Sequence, residues 1–202
     1  TESGTKAPWR ILLVDDEASI HQVTLLALRG FTFKGRDLEF LHCYSGKEAN
    51  TLMEKETDIA LIFLDVVMES ENAGLDVAKY IRETLNNSMV RIILRTGQPG
   101  SAPESEVINN YDINDYKSKT ELTTTKLETS VVSALRSYQE LENSESLRLA
   151  LDKMLQCTTD LIKKNSKNEM YESIIPILEG ILPLAQKFEI APININLVSY
   201  DG

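Results

Sequence analysis

Ile59-Ala60-Leu61-Ile62-Phe63-Leu64 is an unbroken apolar run that ends on one carboxylate, Asp65, with Val66-Val67-Met68 following. A run this short and uniformly apolar has no polar face. It fits a strand covered on both sides, as in a parallel sheet packed between helices. In such sheets polar chemistry collects outside the carboxyl ends of the strands, and Asp65 stands at that place. Arg10-Ile11-Leu12-Leu13-Val14 repeats the pattern and stops at Asp15-Asp16-Glu17.

The rest of the chain alternates strand and helix around these two runs. Residues 18–28 carry Ile20, Val23, Leu26 and Ala27 at helical spacing, and Gly30 fits the helix end. A connection over 31–36 leads to a strand over 38–43 and a helix over 47–55. Beyond Asp65, Leu75, Ala78, Ile81 and Leu85 predict a helix over 74–86. A strand over 90–94 ends at Arg95-Thr96-Gly97, a short helix is expected over 104–109, and a weak strand over 113–116 runs into Lys117-Ser118-Lys119. This alternation predicts a doubly wound α/β fold, a five-stranded parallel sheet with helices on both faces. In the flavodoxin-like order 2-1-3-4-5 the first and third strands are neighbours, so Asp15, Asp16 and Asp65 share one small site.

Three carboxylates within a few ångströms repel, which favours protonation or a bound cation. An all-oxygen cluster at an open edge suits Mg2+, which keeps several waters. A carboxylate beside such a metal can attack a phosphoryl group and become an acyl phosphate. A threonine hydroxyl and a lysine ammonium at neighbouring strand ends, Thr96 and Lys119, could hold the other phosphoryl oxygens. Each residue also has a plainer reading. Asp15 or Asp16 could cap the next helix, Thr96 before Gly97 could be turn chemistry, and Lys119 could be a solvated surface lysine. Lys117 competes with Lys119.

The motifs Ile-Leu-Leu-Val-Asp15-Asp16-Glu17, Ile-Phe-Leu-Asp65, Ile-Leu-Arg-Thr96-Gly and Asp115-Tyr116-Lys-Ser-Lys119 together resemble a response-regulator receiver domain over residues 9–140. The resemblance implies that Asp65 is the phosphoacceptor. It implies a Mg2+ site of Asp15, Asp16, Asp65 and the Val67 backbone carbonyl. Thr96 and Tyr116 become the switch residues, Lys119 the ion-pair partner, and Val67 and Gln98 the positions that tune phosphate lifetime. Thr120 stands where the family usually places a proline after a cis bond; a cis bond before a non-proline residue costs about 3–4 kcal/mol. Met68-Glu69 replaces the usual Met-Pro. The motifs Leu-Arg95-Thr96-Gly-Gln98-Pro-Gly, Tyr111-Asp-Ile-Asn-Asp-Tyr-Lys and Ala134-Leu-Arg-Ser-Tyr138 are similar to a bacterial group in which the receiver precedes a domain of unknown function. In that group an HD-GYP cyclic-di-GMP phosphodiesterase often follows.

Past the receiver, Leu127, Val131, Ala134, Tyr138 and Leu141 continue at four-three spacing, and Leu147, Leu151, Met154, Thr158 and Leu161 form a second series out of phase with the first. A long helix with a change of supercoil accounts for both. It is expected to make a homodimer through residues 121–166, the alternative being an amphipathic helix folded back on its own chain. Residues 141–166 are thus a helical linker of coiled-coil character. Residues 167–202, with an alternating Ile193-Asn-Ile195-Asn-Leu197, are expected to be the start of a truncated α+β domain.

The net charge of −10 over 202 residues argues against a nucleic-acid partner. No apolar run has membrane-spanning length. Cys43 and Cys157 are expected as buried free thiols of a cytoplasmic protein, and His21 and His42 lack zinc-ligand spacing. The expected partner is a histidine kinase or phosphotransfer protein, and the expected chemistry is no more than self-phosphorylation and self-dephosphorylation. Rival readings are an aspartyl-nucleophile phosphatase, which wants an Asp where Val67 stands, and a transcription factor, for which residues 121–202 are too acidic, with eight Lys and Arg against twelve Asp and Glu. A receiver-like scaffold that is never phosphorylated is the remaining alternative.

Overall fold

The structure, a computed structural model, describes residues 7–97, 111–119 and 123–162. By backbone contacts the chain divides into two compact units, Thr1–Leu141 and Glu142–Gly202.

In the first unit five parallel strands form one sheet in the order β2-β1-β3-β4-β5. They are β1 (Trp9–Val14), β2 (Leu38–Cys43), β3 (Ile59–Asp65), β4 (Arg91–Thr96) and β5 (Asp115–Ser118). Every residue of β3 and β4 is buried, which is why their sequences show no alternation. β2, at the sheet edge, is half-exposed along most of its length. One core lies on each face. Leu12, Val14, Ile62, Leu64, Ile92 and Leu94 point to one side, and Ile11, Leu13, Leu61, Phe63 and Ile93 to the other, as the two-residue strand period requires.

Helices α1 (Ala18–Ala27), α2 (Gly46–Met53) and α3 (Ala73–Lys79) connect the strands, and α4 runs from Thr124 to Ile162. Leu127, Val131, Ala134 and Leu135 of α4 join the second core. α2 starts where Ser45 accepts a hydrogen bond from the Glu48 N–H, a side-chain cap.

Four sequence expectations need correction. The last strand lies two residues later than 113–116. Asn114 is held in the preceding turn, where its Oδ1 accepts from Ile92 N and its N–H donates to Ile92 O. The helix expected over 74–86 is α3 followed by a π-helical turn, Tyr80–Thr84. There Arg82 donates to the carbonyls of Asn87 (2.6 Å), Val90 (2.9 Å) and Asp112 (3.1 Å). α1 does not bury its apolar stripe. Val23 is 59% and Leu26 71% exposed, while His21 and Thr24 are buried. The connection over 31–36 is a tight reversal, with Phe33 and Arg36 paired and Lys34 and Gly35 at positive φ.

The short helix over 104–109, the Lys119–Thr120 bond, the side chain of Cys157 and residues 167–202 lie outside the described residues. In the second unit Arg148 bridges Glu145 and Asp152, one turn apart on either side. Leu147, Leu151 and Leu155 are each exposed by 46% or more. Among the described residues no helix is long and apolar enough to cross a membrane.

Candidate functional site

The strand order brings the polar strand ends together. Val14 of β1 pairs with Leu64 of β3, so Asp15 and Asp65 leave the sheet side by side. Asp65 pairs with Arg95, and Thr96 with Ser118, so Thr96 and Lys119 follow along the same edge.

Asp15 is wholly buried and Asp65 is 2% exposed. Asp15 is fixed by its backbone, whose N–H donates to Cys43 O at 3.2 Å, and by the Glu17 N–H, which donates to its Oδ1 at 3.0 Å. Lys119 Nζ joins the carboxylates. It lies 2.9 Å from Asp65 Oδ2, 3.2 Å from Asp15 Oδ2 and 3.2 Å from Glu17 Oε1. Lys117 instead pairs with Asp115 at 3.2 Å.

Burial pushes the Asp65 carboxyl above its ordinary range. The Lys119 ammonium and the Val67 N–H oppose that shift, and the nearby Asp15 charge adds to it. Burial also works against the Lys119 ammonium, but Asp65 and Asp15 outweigh it and hold the lysine charged, above its usual value. One ammonium thus serves two buried carboxylates.

Asp15, Asp16 and Glu17 place carboxylate oxygens within 4.8 Å of one another, a grouping that can hold a metal ion. Asp65 is not among them; it meets Asp15 through the shared Lys119 ammonium. Two buried oxygens, Asp15 Oδ2 and Asp65 Oδ1, receive no hydrogen bond. A hard cation takes such oxygens, so the donor set fits Mg2+. Asp16 is exposed.

The other expected residues lie as follows. Thr96 is 1% exposed at the end of β4, and Tyr116 is buried in the core beside Ile92 and Leu94. The Val67 side chain is 47% exposed. Gln98 lies outside the described residues.

Two features were not anticipated from the sequence. Arg95 is fully buried beneath the site, with Nη2 3.8 Å from Asp15 Oδ2 and Nη1 donating to Thr24 Oγ1 at 2.9 Å. His21 and His42 meet, Nδ1 to Nδ1, at 2.8 Å, and His21 Nε2 lies 2.8 Å from the Asp15 carbonyl oxygen. A carbonyl only accepts, so His21 carries a proton on Nε2, and one proton lies between the two Nδ1 atoms. The signal for this pair was the neighbouring of the first two strands, which sets His42 beside Leu13.

Residues 131–194 match the family described as Domain of unknown function (DUF3369). The chain is 46% identical over 180 residues to the 3'3'-cGAMP-specific phosphodiesterase 2 of Vibrio cholerae, covering 89% of this chain. It spans about a third (34%) of that relative's length. Among solved structures, a response regulator receiver domain protein of Clostridium thermocellum is similar, with a TM-score of 0.54 and 21% identity over 66% of this chain and 98% of that one. The signal receiver domain of an HD domain-containing protein from Pseudomonas fluorescens Pf-5 has a TM-score of 0.57 and 21% identity over 69% of this chain and 96% of that one. The chain therefore has the fold of a response-regulator receiver domain, followed by a segment that matches the DUF3369 family, the pairing that its motifs implied.

Proposed function

We propose that residues 9–140 are a phosphoacceptor receiver in which Asp65 is phosphorylated with Mg2+ as the accessory cation. The observation that carries this reading is the meeting of Asp65 and Asp15 on the single Lys119 ammonium, at 2.9 and 3.2 Å. A carboxylate oxygen of Asp65 attacks the phosphorus of a phosphohistidine on a histidine kinase or phosphotransfer protein, or of a small phosphodonor. The bond from phosphorus to the donor breaks, and its electron pair leaves with the donor. Asp15, Asp16, Asp65 and the Val67 carbonyl would hold Mg2+, which neutralises charge on the transferring group when bound. Lys119, already held charged, pairs with a phosphoryl oxygen in place of Asp65 Oδ2.

The added charge draws the Thr96 hydroxyl toward the phosphoryl group, and Tyr116 repacks with it. Val67 offers no polar side chain to a hydrolytic water, and with Gln98 it sets the lifetime of the acyl phosphate. The long helix carries the change onward, and its second apolar series, Leu147, Leu151 and Met154 at four-three spacing, with Leu147 and Leu151 about half exposed, supplies a seam for a homodimer. The output is turnover of a cyclic dinucleotide, a reading supported by the likeness to the Vibrio cholerae phosphodiesterase.

Beryllofluoride with Mg2+ tests the proposal, with calorimetry for binding and light scattering for mass in solution. Binding that is lost in Asp65→Ala is expected. No binding, or equal binding by Asp65→Ala, overturns the phosphoacceptor reading. A monomer at all concentrations in both states overturns the dimer.

A further inference from the structure

The receiver motifs leave one ionised side chain of the site without a role. Arg95 is 0% exposed, and its Nε and Nη2 receive no hydrogen-bond acceptor. A guanidinium has five donors, and leaving them unmet in the interior is costly unless an opposite charge lies close. The opposite charge here is Asp15, whose Oδ2 stands 3.8 Å from Nη2 and is otherwise met only by the Lys119 ammonium, at 3.2 Å and without a formed hydrogen bond. The guanidinium is held at that height by Thr24 and by the face of Phe63, 5.1 Å from the ring centroid. α1 is turned to make the first of these contacts, with Thr24 inward and Val23 and Leu26 in solvent.

The buried carboxylates are then opposed by two cations, while Asp16 and Glu17 add negative charge at the open edge. Asp15 and Asp65 face Lys119 from the strand-end side and Arg95 from the core side. Lys119 sits on a strand end and is partly exposed, so it can move when a cation arrives. Arg95 is enclosed and cannot.

We infer that Arg95 is a positioning residue that sets the affinity of the site for divalent cations. It holds the Asp15 carboxylate from the core side and opposes a second positive charge above it. The inference rests on the reading of Asp15, Asp16 and Asp65 as a cation site.

Mn2+ titration of the full chain, followed by calorimetry and by the electron-spin signal of the free ion, tests it. Arg95→Gln and Arg95→Met remove the charge, and both are expected to bind Mn2+ about tenfold more tightly than the wild type, the size expected for one unit charge a few ångströms from the ion at an effective interior dielectric after screening. Arg95→Lys restores the charge and is expected to return the affinity to within about twofold of the wild type. A packing role alone predicts that Arg95→Lys behaves like the neutral variants. That pattern overturns the inference, as does unchanged affinity in whichever neutral variant folds. Asp15→Asn separates the two readings. Wild-type binding that Asp15→Asn abolishes, with no change in Arg95→Gln, overturns the role of Arg95 and keeps the site. Absence of Mn2+ binding from the wild type and the neutral variants overturns both.

Discussion

Gly74 touches the backbone of Asp65 so closely that a Cβ on Gly74 would lie 1.9 Å from the Asp65 carbonyl oxygen. The same glycine donates its N–H to Val66 O at 3.1 Å, so α3 starts directly against the loop that follows the central strand. Neither partner is a flexible side chain, and a methyl group there displaces backbone. Gly74→Ala is expected to lower stability by about 1–3 kcal/mol, the usual cost of overpacking, and to weaken beryllofluoride binding. Urea denaturation and calorimetry read the two effects. Wild-type values for both would show that the loop yields freely.

The raised pKa of Asp65 makes its charge a liability to the fold at neutral pH. The sign follows from proton uptake. Between the ordinary carboxylate pKa and the higher folded value, the native state binds a proton that the unfolded chain does not, so stability falls as pH rises through that window. Asp65→Asn removes the titration and leaves Lys119 with Asp15 and Glu17. The variant is therefore expected to be more stable than the wild type at neutral pH, with the gain shrinking as pH falls toward the ordinary carboxylate range. Thermal melts across pH check it, and a wild type that matches or exceeds Asp65→Asn at neutral pH contradicts it.

The histidine pair makes a prediction about protons. His21 is expected to carry a proton on Nε2, because the Asp15 carbonyl 2.8 Å away can only accept, and the two Nδ1 atoms share one proton between them. Burial, and then the His21 charge, hold the His42 pKa below the usual value. Long-range nitrogen–proton correlation spectra distinguish the tautomers directly. A His21 ring without a proton on Nε2 would mean that the contact with Asp15 is not made in solution.

Cys43 is a free thiol whose pKa burial pushes up to about 11, with Glu48 adding to the shift. Only the thiolate reacts appreciably. In a Cys157→Ser background, alkylation at about pH 8 should be slow and should follow global unfolding as urea is added. Fast labelling of the folded protein would place Cys43 at the surface.

What the sequence disclosed depends on which force placed each residue. The runs at 10–14 and 59–64 were legible because burial on both faces removes polar residues altogether, and the strand order then followed from the alternation with helices. Asp15, Asp65 and Lys119 could be found because they end strands. Arg95 could not, since a charge just past a strand expected over 90–94 reads as a solvent-facing residue, whereas the strand runs to Thr96 and the neighbouring Asp15 makes the burial of Arg95 tolerable. The rotation of α1 was hidden for the same reason. Its apolar stripe pointed one way, while contacts of Thr24 with Arg95 and of His21 with Asp15 turned it another. β5 was misplaced by two residues because the Asn114 side chain stands in for backbone pairing at Ile92.

The π-helical turn at Tyr80–Thr84 bears on how such a chain can have arisen. A turn of this kind is one residue longer than an α-helical one, an insertion absorbed within a helix and not expelled into a loop. Removing that residue would restore ordinary helical geometry and swing Arg82 by roughly 100° around the axis. The swing would take it away from the carbonyls of Asn87, Val90 and Asp112. The extra residue therefore sets where Arg82 points, and the same helix without it would need a different clasp onto the start of β4.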